Sequence, residues 1–203
     1  VAIGEEGFWA QDEGGGEWGG VYVYTESADE SIVVAVGDRV NITGEATEFY
    51  DCTQIAVRNG SDVEQVDSAD PVSTVLSEAP SNWENYEGVL ITLEDVAVGT
   101  GDDYGQFQTN YGDLLIDDML FSYDLSENSS IDQLTGVVHY AYSEFKILPR
   151  SEADLTGAEG GGSTGDSGDS GDSGSSTTPV AASITDVQTG VVSEGDSVEI
   201  SGA

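Results

Sequence analysis

Few side chains in this sequence can carry acid–base or nucleophilic chemistry. His139 is the single histidine and Cys52 the single cysteine. His139 lies in a β-type run with Tyr140 and Tyr142, where an imidazole with satisfied nitrogens is expected. A hydrolase would need it as general base, and no Gly-x-Ser-x-Gly elbow offers it a nucleophile. Cys52 would react only as a thiolate, which a basic neighbourhood must stabilise. The cations available to do so are Arg39, Arg58, Lys146 and Arg150. Cys52 is therefore expected to be a small buried hydrophobe, and a lone cysteine closes no internal disulfide. The reading is non-enzymatic.

Oxygen donors are the abundant chemistry. Adjacent acids such as Asp102-Asp103 and Asp117-Asp118 are expected on the surface, because 40 acidic residues generate such pairs by chance. Oxygen-rich loops also suit a hard cation. Calcium is the one cofactor suggested, with Asp166, Asp169 and Asp172 of a thrice-repeated Gly-Asp-Ser as candidate ligands and Asp102/Asp103 as a second place. The EF-hand spacing and its terminal Glu are missing. Asn41, Asn59 and Asn128 each begin an Asn-x-Ser/Thr triplet and are candidate glycan acceptors. Asn59 and Asn128 stand in turn contexts, which suits an acceptor better.

The elements that must position these groups read as short strands. Gly7–Asp12, Val21–Tyr24, Ile32–Val36 and Val40–Thr43 are β-type runs. Thr47–Tyr50 and Thr53–Val57 read as a hairpin. Residues 60–80 are polar, carry Pro71 and Pro80, and read as a long connection. Ser81–Tyr86 predicts one short helix, with Ser81 as N-cap and Glu84 completing a capping box. Val89–Leu93, Val96–Val98, Gln106–Thr109, Leu114–Ile116, Leu134–Tyr142 and Glu144–Leu148 follow. Turn chemistry every eight to twelve residues favours an all-β small barrel over a sandwich. No apolar run approaches the ~18 residues of a membrane span.

Residues 157–179 change character to Gly, Ser and Asp, the composition of a flexible linker. Residues 180–203 turn apolar again and are too short to fold alone. The two ends then complement each other. Gly195-Asp-Ser-Val-Glu-Ile-Ser-Gly-Ala203 followed by Val1-Ala-Ile-Gly-Glu-Glu-Gly-Phe-Trp-Ala-Gln-Asp12 reads as one long bent strand. The sequence opens inside that pattern, without Met or leader, as a mature or excised piece of something longer would. An internal echo supports the pairing: Gly37-Asp-Arg-Val-Asn-Ile-Thr-Gly44 repeats as Gly195-Asp-Ser-Val-Glu-Ile-Ser-Gly202.

Five segments in order carry a family resemblance: GFWAQDEGG…GVYVYT, VGDRVNITGEATEFYDCTQI, WENYEGVLITLEDV, LTGVVHYAYSEFKILPRSEADL, and the tail ITDVQTGVVSEGDSVEISGA. Together they resemble an OB-fold module of large secreted bacterial and archaeal proteins. That module often stands beside endonuclease/exonuclease/phosphatase-type nucleases or lamin-tail-like domains. The resemblance implies an OB-like barrel over residues 1–156 lacking its opening strand, a linker over 157–179, and a strand-donating segment over 180–203. In the family pattern the opening strand directly precedes the Phe-Trp-x-Gln-Asp strand; here it lies at the far end.

The resulting expectation is an extracellular or cell-surface structural unit, a fibre subunit or tandem repeat joined head to tail by strand complementation. Its partners would be other copies of itself, with attached glycans and no membrane. Val198 and Ile200 would anchor the donated strand, with Ile184 and Val192 upstream and Ile3 and Phe8 (with Tyr22) receiving them. The alternative is an accessory nucleic-acid- or glycan-binding domain of a secreted nuclease. An OB-fold groove binds nucleic acid with cations and stacking aromatics. Trp9, Trp18, Tyr22, Tyr24, Phe49 and Tyr50 supply rings, but a formal charge of −36 repels phosphate. Nucleic acid is therefore not expected as a partner.

Overall fold

The computed structural model describes residues 1–26, 28 and 31–158, and the backbone of residues 197–200. The chain is all-β. Its first strands are β1 (Ala2–Ile3), β2 (Gly7–Gln11), β3 (Gly20–Tyr24), β4 (Asp38–Phe49), β5 (Cys52–Ala56), β6 (Val63–Ser68) and β7 (Thr74–Leu76). Then come β8 (Leu90–Gly101), β9 (Phe107–Thr109), β10 (Leu115–Ile116), β11 (Ser130–Ala141), β12 (Glu144–Leu148), β13 (Leu155–Thr156) and β14 (Ser197–Ile200). No helix among the described residues is long and apolar enough to cross a membrane.

Strands β8, β9, β10, β12 and β11 close into a five-stranded barrel, because β11 pairs back onto β8. Every contact in the ring is antiparallel except β10 with β12. This is an OB-like barrel. Its interior is a contiguous apolar cluster that includes Ile91, Leu93, Val96, Val98, Ile116, Ile131, Leu134, Val138 and Ile147. On β8 the pairs Ile91/Leu93 and Val96/Val98 each keep the spacing of two that a pleated strand requires of its inward face, with one extra residue between the pairs.

The N-terminal strands form a second, curled sheet in the same order, β1-β2-β3-β5-β4-β14, again with a parallel contact only between its third and fifth strands. Its own core holds Phe8, Ala10, Val23, Val40, Ile42, Ile55 and Val57. The two sheets pack on each other through Val1, Ala2, Trp9, Tyr22 and Cys52 on one side and Leu90, Val137 and Leu148 on the other. That explains why Val89, Leu90 and Ile91 are apolar in succession: Val89 and Ile91 belong to the barrel core and Leu90 to the contact with the other sheet. At the seam the backbones nearly touch, and a Cβ on Gly20 would lie 2.2 Å from the Gly88 carbonyl carbon. Gln11 bridges the seam, accepting from the Leu90 amide at 2.7 Å and donating to the Val72 carbonyl at 2.7 Å.

Several local expectations shift. Ser81–Tyr86 yields a single 3-10 turn over Trp83–Tyr86, capped by Asn82, whose side chain accepts from the Glu84 amide, rather than by Ser81. The segments 89–93 and 96–98 are one strand, bent at Asp95, which sits at φ +51°. Residues 32–35 form no strand; Ile32 and Val34 instead lie against the N-terminal core as irregular chain. The polar connection over 60–80 contains β6 and β7, paired to β4 and β8. Neither alternates apolar with polar residues strongly enough to be read as a strand in advance.

Candidate functional site

Two features qualify as sites, and the first is the opening strand. In the barrel, β8 performs two pairings with one continuous chain: residues 90–97 lie on β11 and residues 98–101 on β9. In the curled sheet those duties are divided. β14 lies on β4, with Val198 opposite Gly44 and Ile200 opposite Ile42, while β1 lies on β2, with Ala2 opposite Trp9. The two echo segments of the sequence are therefore ladder neighbours. Following the sense of each pairing round the sheet, β14 and β1 run in the same direction. Among the described residues no pairing joins them. A small cavity of about 20 Å³ lies beside β1, lined by Val1, Ile3, Phe8, Val34 and Val40 among others. The Val1 amino group is buried there and donates to the Trp9 carbonyl at 2.7 Å.

The second feature is a cleft of about 690 Å³ where the two sheets meet. Two equivalent hairpins flank it, β4–β5 and β11–β12. Their registers match, Phe49 opposite Cys52 in one and Ala141 opposite Glu144 in the other. Both turns place two residues at positive φ, Tyr50 (+50°) and Asp51 (+64°), Tyr142 (+56°) and Ser143 (+67°). These dihedrals fit two-residue hairpin loops matched to the strand twist. They hold tyrosines at both tips, Tyr50 being 83% and Tyr142 90% exposed. Phe49 packs edge-on against Tyr50, and Tyr24 and Tyr140 complete the aromatic wall.

Below the rings lies a polar knot. His139 and Cys52 are both buried, with Cys52 Sγ 4.0 Å from His139 Nδ1. Burial lowers the imidazole pKa to about 4, the nearby Asp117 carboxylate opposing and Lys146 assisting. Burial, then the Glu87 carboxylate, pushes the thiol well above its ordinary range. At neutral pH the pair is thus a neutral ring beside a protonated thiol, the wrong state for nucleophilic attack. Trp9 and Tyr22 enclose the ring at centroid distances of 5.2 and 5.6 Å.

Glu87 is the unexpected member of this group. It is 7% exposed and accepts from the Thr53 amide through Oε2 at 3.3 Å, while Oε1 has no hydrogen-bond partner. Burial raises its carboxyl pKa to about 7. Asp117 is not a surface acid: it is buried, and its Oδ2 accepts from Lys146 Nζ at 3.0 Å. That ammonium also lies 5.4 Å from the centre of the Tyr142 ring.

The remaining expected site residues scatter. Phe8 is in the N-terminal core, whereas Ile3 is 45% exposed and lies outside that cluster, at the cavity beside β1. Val198 and Ile200 lie in β14; Ile184, Val192, Asp166, Asp169 and Asp172 fall outside the described residues. Asn41 is in the middle of β4, opposite Glu64. Asn59 and Asn128 are exposed, Asn128 at φ +64°, and Asn59 donates to Asp62 Oδ2 at 2.5 Å. Asp102 shapes a turn, accepting from the Tyr104 and Gln106 amides at 2.8 and 3.0 Å. Among the described residues, no group of three or more His, Cys, Asp or Glu is arranged to hold a metal ion.

The cleft was missed because its two walls are far apart in sequence, Cys52 and His139 being separated by 87 residues, and neither carries a motif. The available signal was the recurrence of an aromatic at a two-residue turn, Tyr50-Asp51 and Tyr142-Ser143, in two otherwise dissimilar hairpins. No family model matches this chain, and neither a curated protein nor a solved structure is similar to it.

Proposed function

We propose that this chain is a structural repeat of an extracellular fibre or stalk, an OB-type unit joined head to tail by strand complementation. The observation that carries the reading is the divided opening strand. One sheet builds its first position from a continuous β8; the other builds it from β14 and β1, the two extremes of the chain. A strand supplied from a distance satisfies an edge whose free N–H and C=O groups would otherwise invite indiscriminate pairing. The donor can be the chain's own C-terminal segment or that of a neighbouring copy, since residues 157–196 reach ~130 Å when extended. Passing the segment to the next copy makes a heterologous contact, which propagates into a chain of units instead of closing on itself.

The test is a crosslink across β14 and β4. Ser197 and Glu45 are directly opposite, so S197C with E45C places two thiols within disulfide reach. Oxidation at rising protein concentration should give a ladder of covalent oligomers on a non-reducing gel. A single intramolecular product at every concentration would overturn the proposal and leave a self-closed monomer. Removal of residues 181–203 should abolish any filaments seen by electron microscopy; filaments that survive it would also defeat the reading.

A further inference from the structure

We propose that the cleft between the hairpins is a binding site for a small organic cation of the alkylammonium class. The inference is independent of the fibre reading. A cleft of about 690 Å³ lies within the size range of small-molecule sites, roughly 300–1,000 Å³. Its mouth is set by Phe49, Tyr50 and Tyr142, which are 60%, 83% and 90% exposed, with Tyr24 on the inner wall. Exposed rings gathered around one concavity are unfavourable to leave wet unless something covers them. Glu6 and Asp51 are also in the lining, and no lysine or arginine is.

Charge decides which occupant fits. Ring faces are negative, and a cation within about 6 Å of a centroid is attracted to them. Carboxylates at the rim add to the same field, and the chain as a whole carries −36. Phosphate-bearing and other anionic ligands are repelled by that field. Tyr142, a residue 90% exposed, already has the Lys146 ammonium 5.4 Å from its ring centroid, so this ring attracts a cation within the fold itself. Met119, also in the lining, adds a polarisable contact suited to N-methyl groups. Exposed rings at two hairpin tips, lining one cleft together with carboxylates, offer the π-faces and the charge that attract quaternary ammonium ions.

Isothermal titration of the full chain with choline chloride tests this, alongside its uncharged isostere 3,3-dimethylbutan-1-ol and a neutral oligosaccharide, cellotetraose. Choline should bind at least tenfold more tightly than the isostere, and Y142A and Y50A should each weaken it about tenfold. D51N should weaken choline less and leave the isostere unchanged. Far-ultraviolet circular dichroism checks that the variants remain folded, and intrinsic tyrosine fluorescence of the unmodified chain reports occupancy separately. Equal binding of choline and isostere, binding of cellotetraose alone, or full choline affinity in both tyrosine variants would each overturn the assignment. None of these results depends on whether the chain forms oligomers.

Discussion

Replacing Glu87 with Gln gives a pH-dependent stability change whose sign and size follow from the buried knot. The folded-state carboxyl titrates at about 7 against an ordinary 4.5, mainly because burial opposes its ionisation; the Cys52 thiol and Thr53 amide hydrogen bonds oppose the shift, and Glu84 and Glu48 add to it. A folded pKa above the unfolded one means that the native state holds the proton more tightly between pH 4.5 and 7. Wild-type stability contributed by this group therefore falls as pH rises through that window. A shift of this size corresponds to about 3 kcal/mol. Glutamine cannot ionise, so the stability of E87Q relative to wild type should rise by ~3 kcal/mol between pH 4.5 and 8. Urea unfolding at half-unit pH intervals measures it. The general self-repulsion of an acidic surface is common to both proteins and drops out of the difference. His139 provides the mirror image. Its pKa of about 4 against 6.5 makes the unfolded chain the better proton binder between those values, so its contribution grows as pH rises from 4 to 6.5. In wild type the two slopes oppose each other over their shared window. A stability difference between E87Q and wild type that is flat with pH would refute the buried-carboxyl account.

Two further substitutions probe the frame. K146M strands the Asp117 carboxylate and D117N strands the Lys146 ammonium, both in a site where the two side chains are 11% and 3% exposed. Each should lower the unfolding free energy by about 3–5 kcal/mol, with the K146M/D117L double variant regaining most of it; denaturant titration checks both. G20A drives a methyl into the Gly88 backbone across the sheet seam and should destabilise by about 1–3 kcal/mol or more. G14A, where a Cβ meets nothing within 4 Å, is the control and should leave the melting temperature nearly unchanged.

The fold was legible wherever one face of a strand is buried and the other wet. Alternation along β4, with Val40 and Ile42 inward, and the apolar run opening β8 both announce strands directly. The Gly-Asp echo was legible too, although its meaning as a ladder contact needed the register. What the sequence concealed is pairing without burial. Val63–Ser68 is almost wholly exposed, so its backbone hydrogen bonds to β4, and no hydrophobic pattern, make it a strand. The repetition of one strand order in two sheets was hidden for a related reason. Topology is conveyed by hydrogen-bond order, and the two halves share it with few matching residues. Buried acids were concealed by abundance, since Asp117 and Glu87 look like any of the other 38 acidic residues among 40 until their surroundings are known.

The shared direction of β14 and β1 has a mechanical consequence. Ladder hydrogen bonds run perpendicular to their strands. Opposed pulls on Val1 and on the chain beyond Ile200 act along the strand axes, so the β1–β2 and β14–β4 bonds are sheared together instead of being unzipped one at a time. The weak point under such a pull is the shorter contact, the two-residue β1. Extending that strand, not lengthening β14, is the change that would make the unit resist stretching.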